Sequence, residues 1–372
     1  MEIFRTGQKD SDKRKEQAME QKPYYEQVDI QNTMKLRELI ASLPPFCGTF
    51  FRGIEPTTSS RTRIAYAYDL RVFFEFLIKN NPALSKKGIR AITLEDLDKI
   101  KPVDLEEYME YLKYYSDEEQ KEHINKERGI TRKISALKSF YNYFYKKEAI
   151  TTNPAALIEL PKLHTKEIVR LDIDEVASLL DQVESGEGLT KHQKAFHEKT
   201  KVRDVALLTL LLGTGIRVSE CVGLDLDDVD FKNDGIRIHR KGGKEVVVYF
   251  GDEVREALLA YLEQRKQMIP VDGEEQALFL SLRSRRIGVK TVENLVKKYA
   301  RLVTPLKKIT PHKLRSTYGT NLYRETGDIY LVADVLGHSD VNTTRKHYAA
   351  LEDERRRSAR NAVRLREKPD GK

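Results

Sequence analysis

Residues 309–351 read ITPHKLRSTYGTNLYRETGDIYLVADVLGHSDVNTTRKHYAAL and hold several side chains suited to chemistry on a phosphate: His312, Arg315, His338 and Tyr348. His312 and Arg315 stand three apart, so a helix opened by Pro311 puts them on one face. Gly327 reads as a helix stop, and Asp328 as the start of IYLVADVL, which Gly337 ends. His338 therefore follows a helix end, where a short turn can aim it inward. The segment SDVNTT offers N-caps for a further short helix that carries Tyr348. Taken singly these signals are cheap. A His-x-x-Arg pair arises by chance in basic chains, and most lone tyrosines are packing residues.

Two upstream segments raise the pattern above chance. LLTLLLGTGIRVSECVGLDLDDVDF sets Arg217 and Glu220 directly after an apolar helix that breaks at Gly213 and Gly215. GIRIHRKGGKEVVVYF then reads as two alternating strands, 236–240 and 245–250, joined by a Gly-Gly turn with Lys241 at its edge. In this order, Arg217, Lys241, His312, Arg315, His338 and Tyr348 resemble the active-site set of the tyrosine recombinases, the phage integrases and bacterial Xer recombinases. The motifs TGIRVSECVGL, RKGGK, TPHKLR and VLGHSDVNTT are each similar to the Xer-type form. The spacing from His338 to Tyr348 is one position longer than in that form, and a bulge in SDVNTT would accommodate it.

The resemblance implies a reaction. Attack on a phosphodiester passes through a pentacoordinate state whose non-bridging oxygens gain charge, so preorganised cations and proton management are what catalysis needs. Arg217 and Arg315 would supply guanidinium forks, and His338 a hydrogen bond to a non-bridging oxygen. Tyr348 would be the nucleophile, shedding its proton with help from the arginines and His312. Lys241 would protonate the leaving 5′-oxygen, with Lys244 as its rival. Glu220 would orient the neighbouring cations from behind. The product would be a 3′-phosphotyrosyl enzyme that a 5′-hydroxyl reseals without ATP. No metal or other cofactor is expected. His192 and His197 lie five apart but lack the companions of a metal site.

These groups need a scaffold. The chain has 372 residues, 40% of them hydrophobic, enough for two cores. Its net charge of +8 comes from 66 basic and 58 acidic residues, interspersed, which permits nucleic-acid binding without proving it. Cys47 and Cys221 give no disulfide framework. No apolar run reaches bilayer length and the start is too polar for a signal peptide, so the expected location is the cytoplasm, with no membrane partner.

Residues 1–30 are charged and poor in aliphatics, the composition of a flexible tail. Residues 31–150 read as an all-α bundle, with folded structure expected near Thr33. Leu70, Phe73, Phe74 and Leu77 follow a helical period, and Ile134, Leu137, Tyr141 and Phe144 line another helix begun by Thr131. Residues 151–170, with Pro154 and Pro161, are the expected linker. Residues 171–350 then form a mainly α catalytic domain with a small antiparallel β-sheet. In it, a polar insertion, SGEGLTKHQKAFHEKTKVRD, precedes the apolar helix. Residues 351–372 carry a thin apolar stripe of a size to dock on a neighbouring subunit. The resemblance makes the bundle a SAM-like core-binding domain that clamps duplex DNA with the catalytic domain. Arg61, Arg63, Arg132, Lys133 and Lys138 are its candidate DNA contacts.

The expected function is therefore site-specific DNA recombination. It would proceed in a homotetramer on two duplexes, in the manner of Xer chromosome dimer resolution at a dif-type site. RKGGK, TPHKLR and the long polar insertion favour the single-subunit Xer recombinases of Gram-positive bacteria. The alternatives are an integrase of a phage or conjugative transposon, a non-cleaving DNA-binding module, and a topoisomerase. An accessory protein such as a DNA translocase or an excisionase is a possible partner.

Overall fold

A computed structural model describes residues 22–117, 119–163, 169–240, 243–338 and 341. The expectations for the first residues of the polar tail, for Lys241 and Tyr348, and for the segment 351–372 lie outside the described residues. The chain divides into two compact units, one of them Lys22–Lys166 and the other beginning at Glu167.

The N-terminal unit is a helical bundle: α1 (Tyr24–Ala41), α2 (Cys47–Gly53), α3 (Ser60–Asn80), α4 (Leu94–Asp98), α5 (Pro102–Tyr111) and α6 (Glu127–Lys146). Its core is aromatic. Phe50, Phe73, Phe74, Phe140 and Tyr141 are fully buried, and Phe140 meets Phe50 edge-on with centroids 5.1 Å apart. Folding begins earlier than Thr33, because the polar front of α1 finds partners: the Ser60 hydroxyl donates to Asp29 (2.8 Å) and Asn32 donates to Ser60 (3.1 Å). Likewise α6 starts at Glu127, ahead of Thr131. The first part of the expected linker belongs to this unit. Ala155 and Ile158 are buried in its core, and Lys138 donates to the Ile158 carbonyl at 2.7 Å.

Between α5 and α6 lies a hairpin that periodicity did not announce, β1 (Tyr114–Ser116) paired with β2 (Glu122–Ile124). Side-chain stacking compensates for its short length. Tyr115 stacks on Tyr111 and on His123 with centroids 5.1 and 4.9 Å apart, and His123 pairs with Asp117 at 2.7 Å. The His123 bond holds the Asp117 carboxyl below its ordinary range.

The C-terminal unit is built on α8 (Lys191–Thr214), against which α7 (Ile173–Ser185), α10 (Asp252–Arg265) and α12 (Pro311–Thr326) pack. From Lys191 onward the expected polar insertion is the first half of α8. Thr190 caps it with Gln193, and its inward polar groups are satisfied. His197 donates to the Val183 carbonyl (2.8 Å), and Asp204 accepts from Arg203 (2.6 Å) and Thr200 (3.0 Å). A helix read from apolar residues alone therefore looked half its length. It also runs through Gly213, where a side chain would strike Val254 of α10. A short helix, α9 (Val218–Val222), leads to a three-stranded antiparallel sheet of β3 (Val229–Asp230), β4 (Gly235–Arg240) and β5 (Lys244–Tyr249), in that order. The two longer strands are those expected, and β3 is added at the edge. Then come α10, α11 (Val289–Val303), α12 and α13 (Ile329–Leu336). Among the described residues no helix is long and apolar enough to cross a membrane.

Candidate active site

Helix α8 stops at Gly215, which takes the left-handed conformation (φ 64°) that a helix end favours in glycine. The glycine has a second reason: a Cβ there would run into Tyr318 of α12 and Leu336 of α13. Three helix segments thus meet at this point. The chain turns into Arg217, the N-cap of α9. The buried carboxylate of Glu220 then accepts twice from Arg217, from its backbone N–H (2.7 Å) and from Nη1 (2.7 Å). Glu220 thereby holds the guanidinium in one orientation, and the 41% exposure of the Arg217 side chain leaves part of it open to a ligand.

Pro311 occupies the first turn of α12, as expected. Arg315 sits one turn on and is buried. It donates Nη1 to the Gly215 carbonyl (2.6 Å) and Nη2 to the Leu336 carbonyl. His312, three positions earlier on the same helix, is exposed. Asp328 caps α13 by accepting from Tyr330 (2.8 Å) and Leu331 (3.1 Å). At the other end the N–H of Gly337 returns to Asp334 (2.8 Å) and that of His338 to Ala333 (2.9 Å). This is the Schellman arrangement, with Gly337 left-handed at φ 61°. The backbone bond of His338 to Ala333 fixes where the histidine leaves the helix.

The carbonyls at this helix end collect cations. Arg217 donates to Gly337 (3.3 Å), Arg315 to Leu336, and Arg240 of β4 to Val335 (2.6 Å) and Asp334 (3.3 Å). Unpaired carbonyls give a helix C-terminus partial negative charge, so guanidinium groups are favourable there. Arg217 and Arg315, distant in sequence, are thereby brought together beside His338. Arg240 was not singled out from the sequence. Its only signal was a basic residue at a strand end, which is commonplace.

The basic residues expected to touch DNA lie in the N-terminal unit and fare unequally. Lys133 is buried and, with Arg132 (2.5 Å), pairs with the buried Asp69 (3.3 Å), so it is a core cation rather than a surface one. Arg63 pairs with Glu55 at 2.7 Å, and Lys138 is engaged with Ile158. Arg61 and Arg132 are exposed at the starts of α3 and α6.

Residues 169–355 match the Phage integrase family, and residues 53–148 match its N-terminal SAM-like domain. Tyrosine recombinase XerC of Caldanaerobacter subterraneus subsp. tengcongensis is 37% identical over 88% of this chain and 90% of its own length. The chain belongs to the phage integrase family of tyrosine recombinases. Tyrosine recombinase XerD of Staphylococcus epidermidis is 31% identical over 79% of this chain and 89% of its own. Two solved structures share the fold. XerH site-specific recombinase bound to palindromic difH substrate is 18% identical with a TM-score of 0.59, covering 82% of this chain and 80% of that one. The Tn1549 transposon integrase in complex with circular intermediate DNA is 21% identical with a TM-score of 0.58, covering 84% and 99%. The protein is a site-specific tyrosine recombinase that works on double-stranded DNA. Its fold is the expected pair of a SAM-like helical unit and a mainly helical catalytic unit with a small antiparallel sheet.

Proposed function

We propose that this recombinase is a Xer-type enzyme that resolves chromosome dimers at a dif-type site in the cytoplasm, as a homotetramer joining two duplexes. The XerC and XerD relatives support the Xer assignment. The observation that carries the chemistry is the convergence of Arg217 and Arg315 on adjacent carbonyls, Gly337 and Leu336, at the helix end from which His338 departs. Tyr348 Oη attacks phosphorus and loses its proton. The bond from phosphorus to the 5′-oxygen breaks, and that oxygen takes a proton from Lys241. Arg217, Arg315 and His338 hold the non-bridging oxygens, His312 assists the phenol, and Glu220 orients Arg217. Among the described residues no group of His, Cys, Asp and Glu is placed to hold a metal ion. The N-terminal helical unit and the catalytic unit both contribute contacts to the DNA phosphates. The tail 351–372 packs on a neighbouring subunit.

A rival reading, integration of a mobile element, draws on the likeness of fold to the Tn1549 transposon integrase. Selection of bound genomic fragments, followed by a cleavage assay on the recovered duplexes, separates the two. The Xer reading expects one chromosomal site, whereas recovery of the ends of a mobile element would overturn it. An accessory translocase or excisionase would emerge from the same assay as a factor required for complete exchange.

The general acid has its own test. Lys241→Ala should cleave an ordinary 5′-oxygen substrate slowly, by about a hundredfold or more, the usual worth of a positioned acid. On a substrate with sulfur at the bridging 5′ position the leaving group needs no proton, and the rate should return towards wild type. A Lys244→Ala variant that behaves this way in place of Lys241→Ala would move the role to Lys244.

A further inference from the structure

Arg240 is the last residue of β4 and is bonded directly to Lys241. Its side chain spans to α13, donating Nη2 to Val335 (2.6 Å) and Nη1 to Asp334 (3.3 Å). It also lies against Gly337, where any Cβ would collide with its guanidinium. A glycine at 337 thus serves both the left-handed turn and the close approach of Arg240. Its strand is held on both sides: β4 pairs with β5 up to Arg240 opposite Lys244, and α9, which carries Glu220, packs on β4. Burial lowers the pKa of Arg240, and the nearby Glu220 carboxylate works against that shift. Its Nε is buried with no hydrogen-bond partner.

We infer that Arg240 is a positioning residue: its fork joins the end of strand β4, from which Lys241 follows, to the helix end from which His338 leaves. The inference rests on the roles proposed above for Lys241 and His338. A general acid works only within hydrogen-bond reach of its oxygen, and small misplacements are expensive. Strand β4 ends at Arg240, where the chain leaves the sheet, and a planar fork on successive carbonyls holds that point, because two parallel bonds fix direction as well as distance. Arg240 touches no reacting atom itself. It sets the relation between two elements that do.

The test compares Arg240→Gln and Arg240→Lys with wild type on nicked suicide duplexes, with oxygen or sulfur at the bridging 5′ position. DNA affinity and melting temperature are measured alongside. On oxygen, Arg240→Gln should cleave about ten- to a hundredfold more slowly, the cost of a displaced catalytic group. On sulfur it should come within about threefold of wild type, since proton donation is no longer required. Arg240→Lys keeps the charge and loses the fork, so it should show the same substrate-dependent defect, and it carries the comparison if the glutamine variant folds poorly. Wild-type cleavage on oxygen, or an equal deficit on both substrates, would overturn the inference. Lys241→Ala run in parallel separates this from the reading beneath it. A Lys241→Ala defect that persists on sulfur removes the general-acid role, and Arg240's with it. If sulfur cures Lys241→Ala but not Arg240→Gln, Arg240 alone is excluded.

Discussion

Tyr348→Phe should bind DNA as the wild-type chain does and form no covalent adduct at all. The substitution removes one hydroxyl oxygen and keeps the ring, so folding and affinity should change by no more than about 0.5 kcal/mol. In the proposed mechanism cleavage needs that oxygen, which makes the bond to phosphorus. The assay is a nicked suicide substrate whose short freed fragment diffuses away, so that the phosphotyrosyl link cannot be resealed. Wild type should accumulate a DNA–protein species stable to denaturant, and peptide mapping should place the DNA on Tyr348. An adduct on another residue, or one that survives in Tyr348→Phe, would show that the extra position between His338 and Tyr348 shifts the register of the nucleophile.

The second large effect is at Arg315. Arg315→Ala leaves the Gly215 and Leu336 carbonyls without their donor in a buried place. Each buried acceptor left unpaired costs about 1–3 kcal/mol, so the C-terminal unit should unfold at distinctly lower urea. In the proposed mechanism Arg315 is a preorganised cation facing the phosphate, so its loss should slow cleavage on the order of a hundredfold to a thousandfold beyond that. Arg315→Lys separates these contributions. It retains charge but cannot bridge two carbonyls, so it should lose less stability and remain slow in single-turnover cleavage. If Arg315→Lys cleaves at the wild-type rate, the fork matters to folding and not to the reaction.

Much of the catalytic unit was legible because its signals are local. Gly215, Gly327 and Gly337 end their helices where glycine pattern says they should, each in the left-handed conformation. Pro311 and Asp328 start theirs for equally local reasons. Strands β4 and β5 follow from alternation over a few residues. The order of the boxes in one chain then identified the family without any coordinates.

Other features depended on partners far along the chain. The polar first half of α8 read as an insertion, since nothing in its own composition says that Asp204 will meet Arg203, Thr200 and Tyr299 in the interior. Lys133 and Arg132 looked alike in the sequence; both pair with Asp69 on another helix, but only Lys133 is buried. The β1–β2 hairpin carries too few apolar residues to announce itself, and an aromatic stack spread over Tyr111, Tyr115 and His123 holds it.

What the sequence by itself determined is the family, the chemistry and the local caps that aim His338, because residue type and short spacing decide all of these. What only the tertiary structure decided is how the arginines are held. Arg217, Arg240 and Arg315 all bond to main-chain carbonyls at the end of α13. Every residue has a carbonyl, so an acceptor of that kind leaves no trace in the sequence. Only folding, by ending α13 at Gly337 beside β4 and α9, selects which carbonyls the guanidinium groups meet.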